Sequence, residues 1–274
     1  MKYIYTALLV LILYAQLAAS SIDSISTTIM DEGKLLCRLE KASWYATDYF
    51  LEKLESKKDS LGGYLSYQNN DRIVSIFFSR YDSSHILARF TFGLLPRKEP
   101  LSVDILNNAP TPEEIGLITI RQDAFRRIYS DTTGFFRHYD NTSFNLIPIN
   151  NHIGKKVFVL TGPGEAGNVL IGNDYLFTYK ANNEFAKKEK LHNSLITFPY
   201  KGKENKVTAT THSHILSEYI TSTDVCTLLL YKDFLEWNQH IVFSQNYVSI
   251  LDLGKETLII LTKEAFNKIY NRTK

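Results

Sequence analysis

The chain has 274 residues, with 31 Lys and Arg against 29 Asp and Glu for a net charge of +2. A 44% hydrophobic and 13% aromatic content excludes wholesale disorder, and 13 Gly and 7 Pro exclude a collagen-like or low-complexity chain. Balanced charge without a basic block argues against a nucleic-acid partner. Two cysteines, Cys37 and Cys226, cannot build a disulfide framework or a Cys-based zinc module. A single disulfide between them stays open to a chain in an oxidising compartment.

Lys2 precedes an apolar run from Thr6 to Leu17, followed by Ala18-Ala19-Ser20. A positive start, a short apolar core and small residues at −3 and −1 describe a secretory signal peptide over residues 1–20. The run is short for a membrane span of about 20 residues. The expectation is an exported protein, periplasmic or secreted, with no stable span after cleavage.

Residues 21–150 read as an α+β module. Asp31 to about Lys57 is helical, with Leu36, Leu39, Trp44, Phe50, Leu51 and Leu54 on a broad apolar face. Gly62–Gln68, Arg72–Arg80 and Ile86–Phe92 are strand-like, rich in aromatic and β-branched residues. Leu95 to Pro100 is a connector. Thr111-Pro112-Glu113-Glu114 opens a helix, with Thr at N-cap, Pro at N1 and Glu at N3. No motif in this half carries chemistry, and a binding or packing role is its simplest reading.

Residues 151–274 form the second module. Strands are expected at Lys156–Thr161, Asn168–Lys180 and Lys206–His214, and the Lys-rich stretch 181–206 reads as a solvated loop or helix face. Thr221-Ser222-Thr223-Asp224 opens a helix. His240–Ser244 and Tyr247–Leu253 suggest a hairpin, Thr257–Leu261 a strand and Lys263–Tyr270 a closing helix.

Within this half lies the constellation Glu165, His212, His214 and Asp224. Residues i and i+2 of a strand face the same side, so His212 and His214 can offer two imidazoles to one metal ion. A carboxylate at the start of the next helix, Asp224, can fold back as a third ligand. Two His and one Asp leave a fourth position for water, the pattern of a catalytic zinc site. Zinc lowers the pKa of bound water toward about 7, and a nearby Glu then moves its proton. Glu165, beside a glycine turn at a strand start, is the candidate. Thr221-x-x-Asp224 also has the form of a helix capping box, a role compatible with ligation.

The other His-x-His chemistries fail on spacing. Leu216 stands where a metallo-β-lactamase needs Asp. The zinc-deaminase His-x-Glu with Cys-x-x-Cys is missing, as is the metalloprotease His-Glu-x-x-His. No Gly-x-Ser-x-Gly elbow supports a serine nucleophile.

The order Glu165-Ala-Gly-Asn-Val-Leu-Ile-Gly172, His212-Ser-His214 and Thr221-Ser-Thr-Asp224 resembles the motif of the JAB/MPN (JAMM) zinc metallopeptidases over about residues 155–262. Three departures are visible. Ile215 replaces the Pro that usually follows the second His, and the His214-to-Asp224 gap is one residue short. Thr221, with Ser222 beside it, replaces the usual Ser. The resemblance implies a cytidine-deaminase-like α/β sandwich and Zn2+ held by His212, His214 and Asp224. It also implies Glu165 as general acid/base and Thr221 or Ser222 at the oxyanion. The function implied is hydrolysis of a peptide or isopeptide amide in a peptide or protein substrate. A catalytically inactive scaffold of this type, acting as an exported binding protein, is the alternative.

Overall fold

The computed structural model describes residues 2–151, 154–200 and 207–272, with side chains described between Ser21 and Asn271. The side chains of the expected leader, residues 1–20, therefore lie outside the described set. Helix α1 runs Lys2–Lys53 without a break at the expected start near Asp31, and a 3-10 turn follows at Glu55–Ser60. Then come β1 (Leu61–Asn69), β2 (Arg72–Ser79), β3 (Ile86–Gly93), β4 (Ser102–Asp104) and α2 (Pro112–Tyr129). Five strands follow: β5 (Thr142–Asn151), β6 (Gly154–Pro163), β7 (Asn168–Gly172), β8 (Tyr175–Tyr179) and β9 (Phe185–Lys190). The chain ends with β10 (Leu195–Pro199), β11 (Ala209–Ser213), α3 (Ser222–Tyr231), β12 (Gln239–Phe243), β13 (Tyr247–Asp252), β14 (Thr257–Thr262) and α4 (Lys263–Arg272). The class is α+β. No helix among the described residues is long and apolar enough to cross a membrane.

Four sheets form. Their strand orders are β1-β2-β3-β4, β5-β6-β8-β9, β10-β7 and β11-β12-β13-β14. Among the described residues all pairings are antiparallel except β11 with β12. The expected module boundary after residue 150 falls inside the β5–β6 hairpin, which pairs Thr142–Asn151 with Gly154–Pro163. The expected single strand 168–180 is instead two strands in different sheets. Gly172 and Asn173 break it, both with positive φ (99° and 56°). A Cβ on Gly172 would stand 2.2 Å from the Ser194 carbonyl oxygen, so the close approach of β7 to the 191–194 loop needs glycine.

Helix α1 ties these layers together. Its buried Leu36, Leu39, Ala42, Ala46 and Phe50 recur at helical spacing and pack on the first sheet and on β5 and β6. Phe50 stacks on Phe77 with centroids 4.6 Å apart. Burying one such side chain stabilises by roughly 1.5–3 kcal/mol. Polar atoms in this interface are satisfied by a hydroxyl chain, Ser43 to Ser66 to Ser75, at 2.7 Å per link. A second core joins α2 to the first sheet and to the other face of β6 and β8. The third joins Met30 of α1, α3, β7 and the last sheet. Gly33 lets α1 and α3 touch, since a Cβ there would lie 2.6 Å from Val225 Cβ.

Candidate metal centre

Two elements and two loop segments converge on a single point. β11 carries His212, and His214 follows directly after the strand end. The Leu191–Ser194 loop between β9 and β10 carries His192, and the first turn of α3 carries Asp224. All four residues are buried, with exposures of 8% or less. Each offers one ligand atom, and these atoms lie within 4.8 Å of one another.

The local sequence accounts for the convergence. Thr221 caps α3: its Oγ1 accepts from Asp224 N at 3.2 Å, and Asp224 Oδ2 accepts from Thr221 N at 2.9 Å. This capping box leaves Oδ1 facing the imidazoles. His192 Nε2 approaches Asp224 Oδ1 to 3.1 Å and His214 Nε2 to 3.1 Å. His214 Nε2 lies 3.2 Å from Asp224 Oδ2, and His212 Nε2 lies 3.9 Å from Oδ1. A tetrahedral ion with bonds of about 2.0–2.1 Å has ligand–ligand edges of about 3.3 Å. The four donors are spaced for that geometry. His212 Nε2 and Asp224 Oδ1 are fully buried yet meet no hydrogen-bond partner in good geometry among the described residues. An ion at the centre would satisfy both.

Behind each imidazole stands a group that fixes its orientation. His212 Nδ1 lies 2.7 Å from His240 Nε2, and His240 Nδ1 lies 2.7 Å from Thr210 Oγ1. With Nε2 of His212 as ligand, its Nδ1–H donates to His240, which donates onward to Thr210. His214 Nδ1 reaches the Tyr219 carbonyl at 2.8 Å and Ser217 Oγ at 2.7 Å. His192 Nδ1 faces Asp174 Oδ2 at 3.4 Å, and Asp174 Oδ1 accepts from Thr161 N at 3.2 Å.

Electrostatics sort the protons of the metal-free cluster. Burial alone would lower His192, but the Asp224 and Asp174 carboxylates outweigh it and hold it up at about 10. Burial pushes His212 down to about 4 and His240 to about 3, so both are neutral at pH 7. Burial also disfavours the Asp224 carboxylate, yet His192 and His214 carry it well below its usual range. The cluster thus holds a charged His192 in the place an ion would take from it.

The remaining expected site residues fall in different places. Glu165 is exposed in the turn between β6 and β7. The metal cluster lies by Gly172, at the far end of β7, a strand about 13 Å long. Thr221 is committed to the cap. Ser222 Oγ donates to Glu32 of α1 at 2.8 Å, and Glu32 pairs with Lys156 at 2.7 Å. His192 and Asp174 went unread in the sequence. A small cleft of about 40 Å³ opens beside His192, His212 and His214, walled by Ile171, Ile196 and Leu216.

No protein-family model matches the chain, and no curated protein or solved structure matches it either. The likeness to JAB/MPN peptidases therefore rests on the motif residues, and the structure adds a buried His-His-His-Asp group that could hold a metal ion.

Proposed function

We propose that this chain is a metal-binding scaffold. One divalent ion, zinc by its donor set, would be held by Nε2 of His192, His212 and His214 and by the Asp224 carboxylate. The protein would then act as an exported binding or interaction protein for a peptide or protein partner. The observation that carries this reading is His192. It fills the fourth corner, which a catalytic zinc site of this type leaves to water. Four buried protein donors make a closed site, and such sites hold structure together. The exposed position of Glu165, remote from the cluster, fits the same reading.

The cleft favours a second reading, a zinc-dependent hydrolase of peptide or isopeptide amides. His192 sits on a loop at the cleft wall, whereas His212 and Asp224 sit on a strand and a helix. At about 30 Å³ per water, the 40 Å³ cleft has room for one or two waters. In this reading His212, His214 and Asp224 would hold the ion with His192 withdrawn from it, and the ion when bound would supply polarisation of the amide carbonyl.

Zinc per chain, measured by elemental mass spectrometry beside a screen of peptide and isopeptide substrates, separates the two. Close to one zinc in the parent, lost in Asp224→Ala and accompanied by no hydrolysis, supports the scaffold. Hydrolysis that rises with zinc content favours the second reading. A well-folded parent that takes no zinc when supplied with it sinks both.

A further inference from the structure

A second cleft, remote from the metal cluster, lies between α1, the end of α3, the β3–β4 loop and the β13–β14 turn. Its cavity of about 150 Å³ is walled by Leu95, Pro96, Leu229 and Cys37. Lys34, Arg38 and Lys41 line it from α1, and at that spacing they share one helical face. Lys232 faces them from the end of α3, and Glu256 is the one carboxylate in the lining.

The charges are under-neutralised. Glu256 is shared between Lys232 at 2.6 Å and Lys34 at 3.6 Å. Lys41 has a distant, exposed partner in Asp233 at 3.7 Å. Arg38 makes one long contact through Nη2 to Gln68 at 3.5 Å, while its Nε is buried with no hydrogen-bond partner among the described residues. A guanidinium N–H withheld from water without an acceptor is costly, and an anion in the cleft would supply the acceptor. The opposite walls, Leu95, Pro96 and Leu229, are apolar side chains, and Glu256 is already held by Lys232 and Lys34.

We propose that this cleft binds a small organic anion, a phosphate or carboxylate head group carrying a short apolar substituent. The head group bridges Arg38 and Lys41, and the substituent packs on Leu95, Pro96 and Leu229. The volume equals that of about five waters, which suits a head group and a few carbons but no large ligand. Nothing in this site depends on the metal cluster.

Calorimetric titration of the full chain with hexyl phosphate, hexanoate and inorganic phosphate tests the assignment. One saturable site is expected for hexyl phosphate, about tenfold tighter than inorganic phosphate, and Arg38→Gln or Lys41→Gln should weaken it by about tenfold or more. Leu95 is 78% exposed, so Leu95→Asn leaves the fold intact. That variant should weaken both hexyl compounds and leave inorganic phosphate unchanged. Absence of saturable heat overturns the proposal, as does equal affinity for inorganic phosphate and hexyl phosphate. Parent-like binding by all three variants overturns it as well.

Discussion

Supplying zinc to the metal-free chain should raise its thermal stability, and the size of the gain follows from the site. The unfolded chain scatters His192, His212, His214 and Asp224 over 33 positions of sequence, so it holds an ion far more weakly than the folded cluster does. An ion that binds only the folded state stabilises by about 2.7 kcal/mol when its free concentration is a hundred times Kd. For a chain of this size that corresponds to a rise in Tm of roughly 5–10 °C. The assay is circular dichroism melting in zinc buffers spanning several decades of free ion. Tm should climb with the logarithm of free zinc, and Asp224→Asn and His212→Ala should flatten that climb. A melting curve indifferent to zinc in the parent would refute the reasoning. So would a climb that survives in Asp224→Asn, since the ion would then bind elsewhere.

Asp174→Asn keeps the shape behind His192 but removes the carboxylate that orients it, so zinc affinity should fall about 10- to 100-fold with the fold retained. Competition with a chromophoric chelator measures it. Gly33→Leu would drive a side chain into Val225, 2.6 Å from where a Cβ would start. The expected loss is near the upper end of about 1–3 kcal/mol in denaturant melts, with weaker zinc binding because α3 carries Asp224. Glu40 is buried on α1, and burial pushes its carboxyl up to about 7 despite Arg121 and Asn145. The unfolded carboxyl ionises from about 4.5, whereas the folded one keeps its proton until about 7. Stability therefore falls as pH rises across that window and levels off above it, by about 3 kcal/mol in all. Glu40→Gln should abolish that decline, leaving the variant more stable than the parent at pH 8.

Sequence pattern carried the site as far as its local signals reach. His212 and His214 lie two apart at the end of one strand, and Thr221-x-x-Asp224 is a capping box whose geometry aims the carboxylate. Both signals are short-range. His192 has none: it sits alone in the Lys-rich stretch 181–206, read as a solvated surface. That stretch holds β9 and β10. β9 is an outer strand of its sheet, where lysines are what an exposed edge tolerates. Its charge run thus described the solvent side of a strand. Only the close approach of the 191–194 loop to Gly172 brings His192 to the cluster, and no spacing in the chain encodes that. Glu165 illustrates the reverse case. Its place matches the order of the motif it resembles, but motif order does not fix which end of β7 a residue occupies. The hairpin, the closing helix and the α2 capping box were legible because alternation and capping are local. The division of 168–180 between two sheets was not, since it depends on what Gly172 must avoid.

Helix α1 makes its last contacts very late in the chain. Ser26 donates to the Leu258 carbonyl, and Glu32 accepts from Ser222, across separations of 232 and 190 residues. The Ser26–Glu32 stretch of α1 therefore lacks these partners until the last third of the chain exists, although Leu36 to Phe50 pack on the first sheet close by in sequence. Non-local closure of this kind slows folding and leaves apolar helix surface uncovered meanwhile. The α1 interface cannot finish until the C-terminal strands exist, and the candidate metal site, whose four donors all lie in the second half, closes late with them.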